Sequence, residues 1–250
     1  MRNLTSTFKT QLFFIQESIM NRFTSFTAGP LSVTVYGKAG AESIIYIPQP
    51  EPVTEKVSFL TDEFPVLLAS VDGMDWNGDL SPWPAPKVFR GEEDFSGGAD
   101  GFADFLEQEV FPKESTFSEK PLHRMMAGIS MSGLFALYMG TRKGSLEAIA
   151  SISGSLWFDG FVDYMKTHGL SKSVKRVYLS LGDKEKRTGN PWMAKVEEAT
   201  LAVQDILAGE GMDVVYQANR GNHFVHGPER LEEAVRYLMT GKVWKGEHSL

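Results

Sequence analysis

The chain has no cysteine. Disulfides and thiolate metal sites are excluded outright, and a cysteine-free chain is compatible with the cytoplasm. It also lacks any run of lysine and arginine, and its formal net charge is −7. Nucleic acid and anionic membrane are thereby disfavoured as main partners. No stretch approaches the roughly 18 apolar residues that suggest a membrane span. After Lys9, "QLFFIQESIM" has the look of a signal peptide, but Gln11, Gln16 and Glu17 interrupt it and no small-residue cleavage site follows. The expectation is a cytoplasmic protein in which residues 1 to about 28 form a short helix or an extended lead-in at the domain edge. Internal repeats and low-complexity linkers are missing too, so the 250 residues read as one domain, with a lead-in over 1–29 and a core over 30–241.

What is present is the composition of a globular protein with a sizeable core, 42% hydrophobic and 23% charged. "LSVTVYG" (31–37) and "SIIYIP" (43–48) are β-branched and aromatic, separated by a turn rich in Gly and Ala, and read as an antiparallel pair near a sheet edge. "FPVLLASVDG" (64–73), "RMMAGIS" (124–130), "AIASIS" (148–153), "RVYLSLG" (176–182) and "DVVYQAN" (213–219) have the near-continuous apolar pattern of strands buried on both faces. Helical patterns separate them. "DGFADFLEQEVF" puts Phe102, Phe105, Leu106 and Val110 on one face, and Asn190 with Pro191 opens a helix running to Ala208. A last helix spans Pro228 to Gly241. This rhythm predicts an α/β fold, a mostly parallel central sheet with helices on both faces. Ligands of such sheets gather at the carboxyl ends of the strands, which places any chemistry at 72–87, 130–132, 153–159, 182–190 and 219–227.

Gly128-Ile129-Ser130-Met131-Ser132 falls at one of those ends. A sharp strand-to-helix turn that holds up a nucleophile needs small residues two before and two after it. Ser130 lies at the apex, whereas Ser132 is already in the helix and stands where the pattern has glycine. A serine hydroxyl is a weak nucleophile until a histidine takes its proton and a carboxylate orients that histidine, and the chain order expected here is serine, acid, histidine. His223 follows the last strand directly, with His226 as its competitor; His123, His168 and His248 lie elsewhere. The preceding loop, "LGDKEKRTGNP", supplies Asp183 and Glu185. The usual Gly-x-x-acid spacing selects Glu185, and one residue of loop shift exchanges it for Asp183. Oxyanion donors are expected from the Met131 N–H and from an amide near Trp76 or Asn77 in "DGMDWNGDLSPWPAP".

These motifs resemble a known family. "AGISMSGLFALY" is similar to the "AGHSMGGLFALY"-type turns of the family named Putative esterase, which includes esterase D and enterochelin esterase relatives. "ASISGSLWFDGF" looks like the "ISPSLWWD" segment that follows one strand later, and "FLEQEVFP", "RVYLSLGDKE" and "GNHF" continue the likeness in order. The resemblance covers roughly residues 30 to 240. It implies an α/β-hydrolase fold and a serine hydrolase acting on a small-molecule ester, with Ser130 as nucleophile and His223 as general base; the acid position varies among these proteins. Ile129 in place of histidine and Ser132 in place of glycine are departures.

The first expectation is therefore a carboxylic-ester hydrolase that forms an acyl-enzyme and needs no metal or organic cofactor. An acyltransferase on the same site is the second, and a hydrolase-fold protein that binds a ligand or partner without catalysis is the third. Trp157 and Phe158 are expected to face the substrate or to pack in the core, and Trp83, among prolines, to form part of a lid.

Overall fold

The computed structural model describes residues 21–88 and 90–250. Ten strands are β1 (Arg22–Ala28), β2 (Leu31–Tyr36), β3 (Ser43–Ile47), β4 (Val66–Asp72), β5 (Pro84–Ala85), β6 (Phe95–Ser96), β7 (His123–Ile129), β8 (Ala148–Ile152), β9 (Arg176–Gly182) and β10 (Asp213–Asn219). Eight of them form one sheet in the order β1-β2-β4-β3-β7-β8-β9-β10, and β5 and β6 make a separate two-residue pair. β2 is antiparallel to β1 and β4; every other neighbour in the large sheet is parallel.

The helices are α1 (Glu51–Glu55), α2 (Leu60–Glu63), α3 (Ala99–Phe105), α4 (Met131–Gly140), α5 (Phe161–His168), α6 (Val196–Gly209) and α7 (Gly227–Thr240). They cover both faces of the sheet, and the period-2 geometry of a strand explains how one segment serves both. In β3, Ile44 and Tyr46 join the core built with α3, α4 and α6, while Ile45 and Ile47 join the core built with α2 and α7. α4 follows β7 into the first of these layers and is buried at all ten positions, so its sequence "MSGLFALYMG" is apolar all round rather than striped.

Two sequence expectations change. β2 and β3 are not a hairpin: β3 lies between β4 and β7, parallel to both. All five of its residues are buried, and a strand apolar on both faces belongs in the covered interior of the sheet; the crossover through α1 and α2 then carries the chain from β3 to β4, which lies between β3 and β2. Of the expected lead-in, Arg22–Ala28 is an extended segment at the sheet edge, paired with β2; the expectation for residues 1–20 lies outside the described residues. The C-terminal tail returns to β10 through an antiparallel bridge between Asn219 and Ser249. Finally, Asn190 accepts from the N–H groups of Trp192 and Met193 and caps a 3₁₀ turn (Met193–Lys195), so α6 proper begins at Val196. Among the described residues no helix is long and apolar enough to cross a membrane.

Candidate active site

β7 ends in a turn whose apex is Ser130, at φ 63° and ψ −124°. A β-carbon-bearing residue avoids that region, which costs about 1–3 kcal/mol unless the surroundings impose it. They do so here. The Ser130 N–H donates to Ile152 O at 3.0 Å, and its carbonyl accepts from Gly133, Leu134 and Ser155. The turn is tight enough that a β-carbon on Gly128 would stand 2.2 Å from Ser132 O, and one on Gly133 2.9 Å from Gly128 O. Ser132, the departure from glycine, is fully buried and saturated. Its Oγ donates to Ile129 O (3.0 Å) and accepts from Ile129 N–H (2.9 Å) and Gln49 Nε2 (2.7 Å). The Ser132 hydroxyl is thus bound up in the turn, while Ser130 Oγ opens to a cleft.

Beyond β10, the loop "RGNHFVH" brings His223 over that serine. Ser130 Oγ and His223 Nε2 are 3.1 Å apart, and His223 Nδ1 is 2.9 Å from Glu185 Oε2. A carboxylate at Nδ1 makes that nitrogen the N–H donor and leaves Nε2 free to accept the serine proton. Glu185 is 5% exposed, and burial alone raises its carboxyl. Hydrogen bonds from His223, Ser153 Oγ–H and Gly182 N–H outweigh burial, so its pKa falls below the ordinary 4.5. The bonds to Oε1 are 2.6 Å from Ser153, 2.7 Å from Gly182 and 2.9 Å from Arg230 Nη1.

Arg230, 1% exposed in the first turn of α7, joins the acid to the histidine loop. Its Nη1 also donates to Ser153 Oγ (2.7 Å), and its Nη2 donates to the carbonyls of Arg220 and Asn222, both at 3.2 Å. Sequence reasoning missed Arg230, Ser153 and Gln49. For Arg230 a signal existed: it lies four residues before Ala234 on the stripe formed by Leu231, Ala234, Val235 and Leu238, and a charge on a core-facing stripe is rare unless paired.

Asp183 points elsewhere. Its Oδ1 accepts from Gly221 N–H at 2.8 Å and so ties the two loops together. Asp183→Asn is expected to lower kcat less than tenfold, the scale of one hydrogen bond worth about 1 kcal/mol, and a steady-state assay beside Glu185→Gln checks this. His226, the competing imidazole, stacks on His248 with ring centroids 4.0 Å apart.

The cleft above Ser130 has a volume of about 150 Å³ and is lined by Trp76, Asn77, Glu92, Phe95, Ser130, Met131, Ser155, Trp157, Met193, His223 and Phe224. Met131 N–H is at the first position of α4, where a helix offers it no carbonyl. Asn77 N–H donates to Asp75 Oδ1 at 3.2 Å. Trp157 lines the cleft while remaining 8% exposed. Phe158 packs beneath, against Phe95 and Trp83, and lines a second, smaller cleft of about 70 Å³ that shares Phe95 and Trp157 with the first. Trp83, expected in a lid, does not line this cleft: its Nε1 donates to Asp159 O at 3.0 Å and its ring packs on Phe158 and Tyr164.

A mostly parallel sheet with this strand order, carrying a serine at a strained strand-to-helix turn and a histidine after the last strand, defines an α/β-hydrolase. Residues 49–224 match the family model described as Putative esterase, and the chain belongs to that family. Among curated proteins it is similar to the uncharacterized protein YbbA of Bacillus subtilis, 25% identical over 137 residues that cover 53% of this chain and 55% of that one. The matched segment thus spans about half the length of that relative. Among solved structures it is similar to an IroE-like serine hydrolase from Shewanella oneidensis (TM-score 0.69, 18% identity, 84% of this chain and 75% of that one). It is also similar to the siderophore hydrolase EstB from Aspergillus nidulans (TM-score 0.64, 16% identity, 87% and 93% covered).

Proposed function

We propose that this protein is a carboxylic-ester hydrolase that works through an acyl-enzyme on Ser130. The observation that carries the reading is the unbroken relay from Ser130 Oγ to His223 Nε2 (3.1 Å) and from His223 Nδ1 to Glu185 Oε2 (2.9 Å), at the floor of an accessible cleft. Membership of an esterase family supports it. Ser130 Oγ attacks the ester carbonyl as His223 Nε2 takes its proton, and Glu185 stabilises the imidazolium that results. The tetrahedral oxyanion sits against Met131 N–H at the start of α4 and against a second amide from the loop after β4. Because Asn77 N–H is engaged by Asp75, Trp76 N–H is the better second donor. Imidazolium then protonates the leaving alcohol, and water, deprotonated by the same His223, releases the acid and frees the serine.

The cleft sets the size of the acyl group. A volume of about 150 Å³ holds one aromatic ring or a short chain, with Trp157 and Phe95 as its apolar walls. The substrate is a small-molecule ester, in keeping with the names of the similar siderophore hydrolase and serine hydrolase. A panel of p-nitrophenyl esters is expected to show kcat/KM at least tenfold higher for acetate and butyrate than for laurate, since each misfitted group costs about 1–3 kcal/mol. The same assay with a competing alcohol separates hydrolysis from acyl transfer: release of free acid alone supports the hydrolase. A fluorophosphonate probe is expected to label the wild type and not Ser130→Ala. Labelling that persists in the variant removes Ser130 from its role, and absence of labelling in both favours a binding protein.

A further inference from the structure

Three side chains outside the cleft converge where the histidine loop meets the end of the chain. His226 is the residue before α7, in a left-handed backbone conformation at φ 61°. Glu229 lies one turn further on, in the first turn of α7. His248 comes from the C-terminal tail, which β10 holds in place. Arg220 N–H donates to His248 O at 2.7 Å, and Leu250 N–H to Ala218 O at 3.0 Å. Ser249 Oγ–H donates to Glu233 Oε1 at 2.8 Å.

One ligand atom from each of His226, Glu229 and His248 lies within 4.8 Å of the other two. The two imidazoles stack at 4.0 Å and 19°. Among the described residues, none of these three side chains donates or accepts a hydrogen bond. Three donor groups thus stand together, each with its ligating atoms uncommitted.

We propose that His226, Glu229 and His248 bind a divalent transition-metal ion of the zinc class, and that the ion clamps the C-terminal tail onto the loop that carries His223. Two imidazoles and a carboxylate suit zinc, nickel or cobalt. Zinc takes imidazole nitrogen at about 2.0–2.1 Å and carboxylate oxygen at about 2.0–2.2 Å, which sets neighbouring ligand atoms about 3.4 Å apart in a tetrahedron. From within 4.8 Å, rotation of two half-buried imidazoles and one exposed carboxylate would close the three groups to that spacing, with water in the fourth position. The positive end of α7 opposes a cation there; the Glu229 carboxylate offsets it. No catalytic step passes through this ion. It holds whether or not Ser130 is a nucleophile, because none of its ligands touches that serine.

The test uses the full chain freed of metal by a chelator and then titrated with zinc chloride, read by calorimetry and by thermal unfolding. A parallel titration with cobalt chloride reads the visible absorption of tetrahedral coordination. The expected result is one ion per chain with a rise in Tm that saturates with occupancy. His248→Ala is expected to weaken binding roughly 100-fold or more. His226→Asn, which keeps a residue tolerant of the left-handed backbone, is expected to do the same. His223→Ala leaves the affinity within a factor of about two, as ligand sites act independently when no group is shared. Absence of saturable binding overturns the proposal. So does binding that survives both His226→Asn and His248→Ala, or binding that His223→Ala abolishes, which places the ion in the active-site cleft instead.

Discussion

Ser130→Ala is expected to lower kcat/KM on a short p-nitrophenyl ester by about 10⁵–10⁶-fold, the scale seen when the nucleophile of a concerted serine–histidine unit is removed. The size follows from the relay: without Oγ there is no acyl-enzyme, and the oxyanion donors and cleft alone assist direct attack by water. The fold should not suffer, because the bonds that shape the turn run through Ser130 N–H and C=O and not through its side chain. A comparison with Ser130→Gly separates chemistry from strain. Alanine keeps the β-carbon that makes φ 63° unfavourable; glycine does not. Relief of about 1–3 kcal/mol of strain, less about 0.5–1 kcal/mol for the added flexibility of the unfolded chain, leaves Ser130→Gly more stable than Ser130→Ala by about 1 kcal/mol. Calorimetry should therefore place the glycine variant about 2–4 °C higher in Tm, with both variants inactive. Retention of a tenth or more of wild-type activity in either would end the assignment of Ser130.

Glu185→Gln is expected to cost both activity and stability. The histidine loses the charge that stabilises its imidazolium and fixes its tautomer, which should lower kcat by about 10³–10⁴-fold. Arg230, 1% exposed, loses its counter-charge, and breaking a buried pair from one side costs about 3–5 kcal/mol. Arg230→Met should destabilise by a similar amount, since it strips the carboxylate of one donor and the Arg220 and Asn222 carbonyls of theirs. The double variant is expected to be less damaged than the sum of the two, because neither charge is then left alone. Denaturant unfolding of the four proteins checks this cycle, and strict additivity would show that the two side chains do not act as a pair. Acid should narrow the gap between wild type and Glu185→Gln. The folded-state pKa of Glu185 lies below its ordinary 4.5, so the stability this carboxylate contributes is complete above that value. It is lost as pH falls through the lower, folded-state pKa. Tm measured against pH should show the two curves converging below about pH 4.5.

Much of this architecture was legible in the chain because its signals are local. β9 and β10 fall on the residues that their apolar runs mark, 176–182 and 213–219. α7 ends where Gly241, at φ 66°, gives the left-handed cap that glycine adopts without strain. Ser130, Glu185 and His223 were legible as candidates because each stands just past a strand end, in the order serine, acid, histidine. The misreadings are of another kind. β2 and β3 look like hairpin partners because they are neighbours in sequence and similar in composition. Which strand β3 pairs with depends on where α1 and α2 carry the chain, and neither strand encodes that. The acid was not misread, since the Gly-x-x-acid spacing selected Glu185, but its separation from Asp183 also rests on tertiary contacts. Asp183 and Glu185 occupy the same loop, and the loop's hydrogen bonds to Gly221 and Asn219 turn one toward the backbone and the other toward the imidazole.

Periodicity, turn residues and the run of apolar segments were enough to specify a covered parallel sheet and the rim at which its loops gather, since these depend on contacts between residues close in the chain. Tertiary packing alone decided which side chains meet at that rim. Arg230 reaches Glu185 across 45 residues, Gln49 reaches Ser132 across 83, and His248 comes to lie on His226 because the tail pairs with β10. Contacts of that separation follow from strand order and helix placement, and these are settled only when the entire sheet has closed around its two cores.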